Sequence, residues 1–244
     1  GERDDTGAFI KAINNKGTME EVVATQNDFS SFTPQIPYQY IQHTKYIWDN
    51  SVNWGGGKLK ANIAYQRNQR QEFGNVIVPN EKSLYFDLGT FNYSIQYLFP
   101  EKNNWKHTIG VNGLSQQNKN KGVEALIPEY TSLEAGVFFY TQKKLDQFNW
   151  SGGLRMDKKN IQFNQLQKNY GDVAGSLGMT YEVNSDWVLK WNIARGYRAP
   201  NLSELGSNGA HEGTNRYEYG NQNLLSEQSM QIDLGTEWTG EHVS

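Results

Sequence analysis

Period-two alternation of apolar and polar residues governs the chain from about residue 39 onward. Tyr46, Trp48, Val52 and Trp54 fall on one face against Lys45, Asp49, Ser51 and Asn53, with Ile47 and Asn50 as exceptions, and Gly55-Gly56-Gly57 predicts a tight turn. Leu59, Ala61, Ile63 and Tyr65 then alternate with Lys60, Asn62, Ala64 and Gln66. The plan recurs through Tyr93, Ile95 and Tyr97; Trp105, Ile109 and Val111; and Leu133, Ala135, Val137 and Phe139. It continues through Phe148, Trp150, Leu154 and Met156; Val173, Leu177, Met179, Tyr181 and Val183; Trp187, Leu189, Trp191 and Ile193; and Met230, Ile232, Leu234 and Trp238. Each run predicts a strand with one apolar face. About nine strands result. Short turns (the glycine triplet, PEKNN, KKLDQ, NSD) alternate with long polar segments at 68–82, 117–129, 158–170 and 197–226. In an antiparallel meander this alternation places every short turn at one end of the sheet and every long loop at the other. Residues 1–38 lack sustained periodicity and predict an irregular segment with room for one short hairpin, ahead of a sheet unit spanning 39–244.

Composition narrows the class. The chain has 244 residues, 36% hydrophobic and 13% aromatic, with 24 Gly, and a mean hydropathy of -0.76. Few aliphatics, many aromatics and no run near the roughly 18 apolar residues of a membrane helix fit a sheet that is apolar on one face only. Trp54, Phe99, Trp105, Phe148, Trp150, Trp187 and Trp238 all lie within a few residues of a short turn, as an interfacial aromatic girdle requires. A soluble β-sandwich also alternates, but it buries its apolar face in a shared core and rarely sets large aromatics at one end of every strand. The expected fold is therefore all-β: an antiparallel meander forming part of a transmembrane β-barrel. A net charge of -3 gives no electrostatic case for nucleic acid. There is no cysteine, hence no disulfide and no thiolate metal site. The opening GERDDTGAF shows no export signal, so either the protein stays inside the cell or this is not its true beginning.

The segment Arg195 to Pro200, RGYRAP, followed by SELGSNGAHEGTNRYEYGNQNLLSEQS, resembles the TonB-dependent outer-membrane receptors. PYQYIQH, AYQRNQRQEF, LIPEYTSLEAGVF and WSGGLRMD are similar to that family's barrel, so the resemblance covers most of residues 35–240 and is most specific over 195–230. It implies a bacterial outer-membrane location, a barrel of 22 strands around an N-terminal plug domain, and energised uptake of a ferric siderophore or haem driven by the TonB complex through the plug. Implied partners are TonB, outer-membrane lipid and the iron-complex ligand, with no cofactor built in and no enzymatic activity. Nothing here resembles the plug, and an odd strand count ending in GEHVS without a closing aromatic strand predicts a piece of a larger barrel. A passive porin-type channel and a receptor for another metal such as zinc stay open as alternatives. For an enzyme, Ser203 and Ser207 near His211 are the only candidates, without a nucleophile-elbow pattern around them.

Candidate ligand contacts follow from chemistry and resemblance together. His211 lies in the long loop between the Arg-Ala-Pro box and Asn221 to Leu224, where haem receptors of the family place a ligating histidine; the alternative is that Asn208 to His211 is a structural turn. It is the one candidate metal ligand. His107, beside Trp105 near a short turn, reads as interfacial. Arginine binds carboxylates and phosphates bidentately, so Arg67, Arg70, Arg155 and Arg198 are candidates for an anionic ligand, with Glu212 and Tyr217 of the same long loop. Arg155 points inward by parity. Salt bridges to the plug or to Glu204, Glu212 and Glu218 are the competing assignment, and Arg198 with Glu204 is expected to shape the loop. Arg195 falls on the lipid side by parity, tolerable only near the interface, since a midplane arginine there costs roughly 2–4 kcal/mol.

Overall fold

The computed structural model describes residues 3–211 and 216–240. An N-terminal hairpin, β1 (Ile10–Asn15) and β2 (Thr18–Val23), precedes a one-turn helix α1 (Gln26–Ser30). Eight long strands follow: β3 (Tyr38–Trp54), β4 (Gly57–Phe73), β5 (Leu84–Leu98), β6 (Trp105–Asn120), β7 (Tyr130–Leu145), β8 (Phe148–Phe163), β9 (Leu166–Glu182) and β10 (Trp187–Arg198). Then come a short helix α2 (Leu202–Gly206), a small hairpin β11 (Asn208–His211) and β12 (Arg216–Tyr219), and β13 (Glu227–Trp238). Among the described residues, β3 to β10 and β13 form one nine-stranded sheet in sequence order, every neighbour antiparallel.

Register makes the two faces unmistakable. Trp48, Ile63 and Tyr93 stand opposite one another across β3, β4 and β5; Ile95, Val111, Val137, Met156 and Val173 continue the face through β9. Trp191 and Leu234 carry it across β10 and β13. Most of these side chains are exposed, Met156 at 61% and Leu234 at 83%. An apolar face this wide, left uncovered by the rest of the described residues, suits hydrocarbon. The opposite face carries Lys60, Asn62, Ser94, Asn112, Glu134, Arg155, Asp157 and Asn192. Two strongly apolar residues of β3, Ile41 and Ile47, break its alternation and lie on this polar face.

One end of the sheet is made of short turns. Gly55 (φ 59°) and Gly56 (φ 77°) join β3 to β4, in the left-handed conformation a two-residue hairpin needs. Residues 99–104, 146–147 and 183–186 make the other three turns at this end. The aromatics gather there: Trp54 packs edge-on to Tyr97, Phe148 stacks on Tyr181 at 4.5 Å, Trp150 meets Trp191, and Trp187 pairs with Trp238. His107 lies between Trp105 and Phe139 and bonds Thr141 through Nδ1, an interfacial setting as expected.

The opposite end departs furthest from expectation in one place. Residues 158–170 are not a loop. β8 and β9 continue in register through them to a two-residue turn at Asn164 (φ 44°) and Gln165 (φ 65°). Here the outward row turns polar through Lys158, Asn160 and Gln162 while Ile161 and Phe163 stay inward, so the strands keep pairing without the outward apolar row that announces them. The other two long loops shrink for the same reason, to 74–83 and 121–129.

Candidate functional site

The Arg-Ala-Pro box leads the chain back over the polar face. Pro200 stops β10, Asn201 accepts a hydrogen bond from the Glu204 N–H, and the Glu204 carboxylate accepts from the Asn201 N–H, so a reciprocal cap starts α2. Leu202 and Leu205, both buried, seat α2 against Ile161 and Phe163 on the polar-face side of β8, with Ile127, Tyr130, Leu166 and Tyr170 packed around them. Backbone bonds from Asn208 N to Leu126 O, Gly220 N to Ser207 O and Asn221 N to Glu204 O tie the rest of the loop to the 121–129 loop and to α2. The longest loop is therefore folded inward at its root.

Arg198 fixes that root. Its guanidinium donates to both Glu204 oxygens at 2.9 Å and to Glu227 at 2.7 and 3.0 Å, bridging the loop's two ends. The Arg198 guanidinium holds the Glu204 carboxyl below the usual carboxylate range. With both forks of the guanidinium occupied, Arg198 positions the loop.

Beneath α2 lies a cavity of about 270 Å³. Asn68 and Arg70 of β4, Phe86 and Leu88 of β5, Gln116 and Asn118 of β6, Tyr130 and Ser132 of β7, and Lys159 and Ile161 of β8 form its wall. Asn201, Leu202 and Ser203 form its roof. Lys159 is held by its cross-strand partner Glu134 at 2.8 Å. Arg70 bonds Glu72 at 2.5 Å through a terminal nitrogen, while its Nε is buried without a hydrogen-bond partner among the described residues. Ser132, 5% exposed, has an Oγ in the same condition. A buried donor left unpaired costs about 1–3 kcal/mol, so two on one cavity wall favour an acceptor group there. The cavity joins donors to apolar carbon, the usual make-up of a small-molecule site.

The remaining candidates scatter. Arg155 does face inward, lower on the polar face, in a bidentate pair with Asp157; a Cβ added at Gly136 would meet both partners, so that glycine makes their space. Arg67 lies on the apolar side, clamped by Asp87 at 2.7 Å through two bonds. Tyr217 packs at a tilt against Tyr219, ring centres 4.5 Å apart, and donates to Asn208 Oδ1 on the exposed outer hairpin. His211 belongs to β11 through its backbone pairing with Arg216, but its side chain and all of Glu212 lie outside the described residues. Arg195 reaches from the apolar face to the Val173 carbonyl and to Asp172 at 2.9 Å, where β9 and β10 part. Among the described residues, Arg70 is the one predicted ligand contact that lines the cavity under α2. Lys159 and Ser132 were missed. Continuing the alternation through Lys159, Ile161 and Phe163 finds Lys159, whereas nothing in the sequence singles out Ser132.

Comparison with known proteins agrees with this architecture. The family model described as TonB dependent receptor-like, beta-barrel, matches residues 4–244. Among solved structures the chain is similar to the FrpB iron transporter from Neisseria meningitidis (F3-3 variant), at 15% identity and a TM-score of 0.67, over 84% of this chain and 34% of that one. It is similar to the siderophore receptor PirA from Pseudomonas aeruginosa at 17% identity and a TM-score of 0.66, over 83% and 37% of the two chains. The copper transporter OprC matches at 12% identity and a TM-score of 0.63, over 82% and 36%. The chain spans about a third of the length of these structures, and at such identities the likeness is one of fold.

Proposed function

The chain belongs to the TonB-dependent receptor β-barrel family, whose members are outer-membrane barrels, and from that premise we propose that it forms part of the wall of a receptor for energised uptake of an iron complex. The apolar face meets lipid and the polar face lines the lumen. TonB, acting through a plug domain, drives transport of a ferric siderophore or haem. The observation that carries the choice of cargo is the cavity under α2, where Arg70 and Lys159 meet the unpaired Ser132 hydroxyl on the lumen side. Arg70 and Lys159 already have carboxylate partners in Glu72 and Glu134, so what the cavity offers a ligand is hydrogen-bond donors, the free Arg70 Nε and the Ser132 hydroxyl among them, which suit the oxygen atoms of an anionic chelate better than a bare metal ion.

The test uses the full-length receptor in iron-limited cells fed radioiron on a panel of anionic and neutral chelates. Arg70→Gln with Lys159→Gln raises the half-saturating concentration of the anionic chelate about tenfold or more, since each charge-assisted hydrogen bond contributes roughly 1.5–3 kcal/mol. Unchanged uptake of every anionic chelate, at equal surface abundance, refutes the reading. Uptake that survives deletion of TonB points to a passive porin-type channel instead. Haem ligation by His211 is tested separately, by haem titration of His211→Ala in the full-length protein.

A further inference from the structure

On the apolar side, the outward row of β4 runs Leu59, Ala61, Ile63, Tyr65 and then changes to Arg67, Gln69, Gln71. Its neighbours change at the same level. β5 passes from Phe91 through Gly89 to Asp87 and Tyr85, and β6 from Val111 through Ser115 and Gln117 to Lys119. Ten residues separate Gly57 at the short-turn end from Arg67; at ~3.4 Å per residue and a tilt of ~40° they climb roughly 26 Å, about the height of the apolar band of such barrels. Arg67 thus stands at the outer edge of the hydrocarbon. Tyr85 and Lys121, paired through the Lys121 N–H and the Tyr85 carbonyl, lie about 10 Å beyond it, at headgroup level.

Cations are concentrated at this level. Arg67 and Lys121 both hold Asp87, at 2.7 and 2.5 Å, and bury it to 9% exposure while remaining 46% and 43% exposed themselves. Lys82 and Lys121 both lie over the Tyr85 ring, their Nζ atoms 4.8 and 5.4 Å from its centre, and Gln69 fixes that ring through its hydroxyl. Lys119, opposite Asp87, is exposed, and its side chain has no partner among the described residues. Arg67, Lys119 and Lys121 therefore gather around Asp87, already bonded to two of them, with Glu129 the further acid beside Lys119 and one of its oxygens taken by the Asn120 N–H, which leaves the cluster with a net positive charge. Like charges gathered beside a low-dielectric medium are unfavourable unless an anion joins them.

We propose that Arg67, Lys119 and Lys121, arranged around Asp87 and Tyr85, bind the phosphate of an outer-leaflet lipid headgroup. The lipid's acyl chains lie along the apolar rows of β4 to β6, and its phosphate accepts from the exposed guanidinium and ammonium groups. This assigns Arg67 to the membrane side of the wall, away from the cargo. The site rests on the outer-membrane placement proposed above, but lipid binding is read without transport, so failure of one is distinguishable from failure of the other.

The full-length receptor, purified in non-ionic detergent, is titrated with diphosphoryl lipid A and with dephosphorylated lipid A, and bound lipid is counted by native mass spectrometry. The wild type retains diphosphoryl lipid A at least tenfold more tightly than the dephosphorylated form. Arg67→Gln/Lys119→Gln/Lys121→Gln loses that preference while keeping heat-modifiable mobility. Should the triple variant fail to fold, Lys119→Glu, a change at an exposed and unpaired position, still weakens binding severalfold. Equal retention of the two lipids by the wild type, or an unaltered preference in a folded variant, overturns the proposal.

Discussion

Leu205→Ala isolates the seat of α2. Leu205 is fully buried among Leu202, Ile161 and Phe163, none of them part of the apolar face. Removing three carbons forfeits about 2.4 kcal/mol of transfer free energy at ~0.8 kcal/mol each. Incomplete collapse of the space left behind brings the cost to about 3 kcal/mol, within the usual range for a buried leucine. Because α2 touches the barrel through a small cluster, this cost falls on the docking equilibrium of the loop, and the sheet is spared. At 1.4 kcal/mol per power of ten, the undocked population rises about a hundredfold. Amide hydrogen exchange of the full-length receptor reads it directly. The Asn208, Gly220 and Asn221 N–H groups, which bond Leu126, Ser207 and Glu204, exchange about a hundredfold faster, while amides paired between β7 and β8 keep their protection. Uniform loss of protection across loop and sheet would mean that α2 and the barrel unfold as one unit. No change at those three amides would mean that the cluster does not hold the loop. Either result refutes the reasoning.

Strand parity supplies a second prediction: Ile63→Arg, outward and about 16 Å above the short-turn end by the same ~3.4 Å rise and ~40° tilt, costs about 2–4 kcal/mol in urea titrations of the receptor folded into bilayers. Asn62→Arg, one residue earlier and beside Asp49 on the inner face, is near neutral, and equal costs for the two would reverse or abolish the assignment of faces. In the N-terminal segment the Lys11 ammonium, bonded at 2.5 Å, and after it the Thr25 hydroxyl and N–H hold the Asp28 carboxyl down to about 2 from an ordinary 3.8. A depressed folded value stabilises the docking of α1 on the hairpin fully above pH 3.8, and that contribution fades as the pH falls toward 2. Carbon-13 titration of the Asp28 carboxyl is expected to show the low midpoint, and Lys11→Met to raise it; an ordinary midpoint in the wild type would mean the contact is not formed.

Alternation in Tyr46 to Trp54, Trp105 to Val111 or Trp187 to Ile193 was enough to assign both strand and face, because lipid on one side and lumen on the other impose opposite demands on successive residues. The aromatics near the short turns set the orientation, since Trp, Tyr and Phe are stable at the interface. Beyond the bilayer those demands relax. Lys158 to Tyr170 loses the outward apolar row, with Lys158, Asn160 and Gln162 in its place, while Ile161, Phe163 and Leu166 stay inward, so the segment lacks the lipid-facing pattern that marks the other strands. The candidate site was legible only in pieces: Arg70 by its chemistry, Arg198 and Glu204 by their closeness in sequence.

The sequence by itself determined the local alternation, the turn positions, the inner and outer faces and the family, all properties of short segments or of their repetition. Tertiary structure decided what converges. Register across five strands sets Arg70, Ser132 and Lys159 under α2, places Arg67 on the lipid side with Lys119 and Lys121, and leaves Arg198 bound to the two ends of its own loop. Arg70 and Lys159, 89 positions apart, meet on one wall, and distance along a chain carries no record of such meetings. They depend on a shared hydrogen-bond ladder, where a shift of one residue would turn every side chain to the other face.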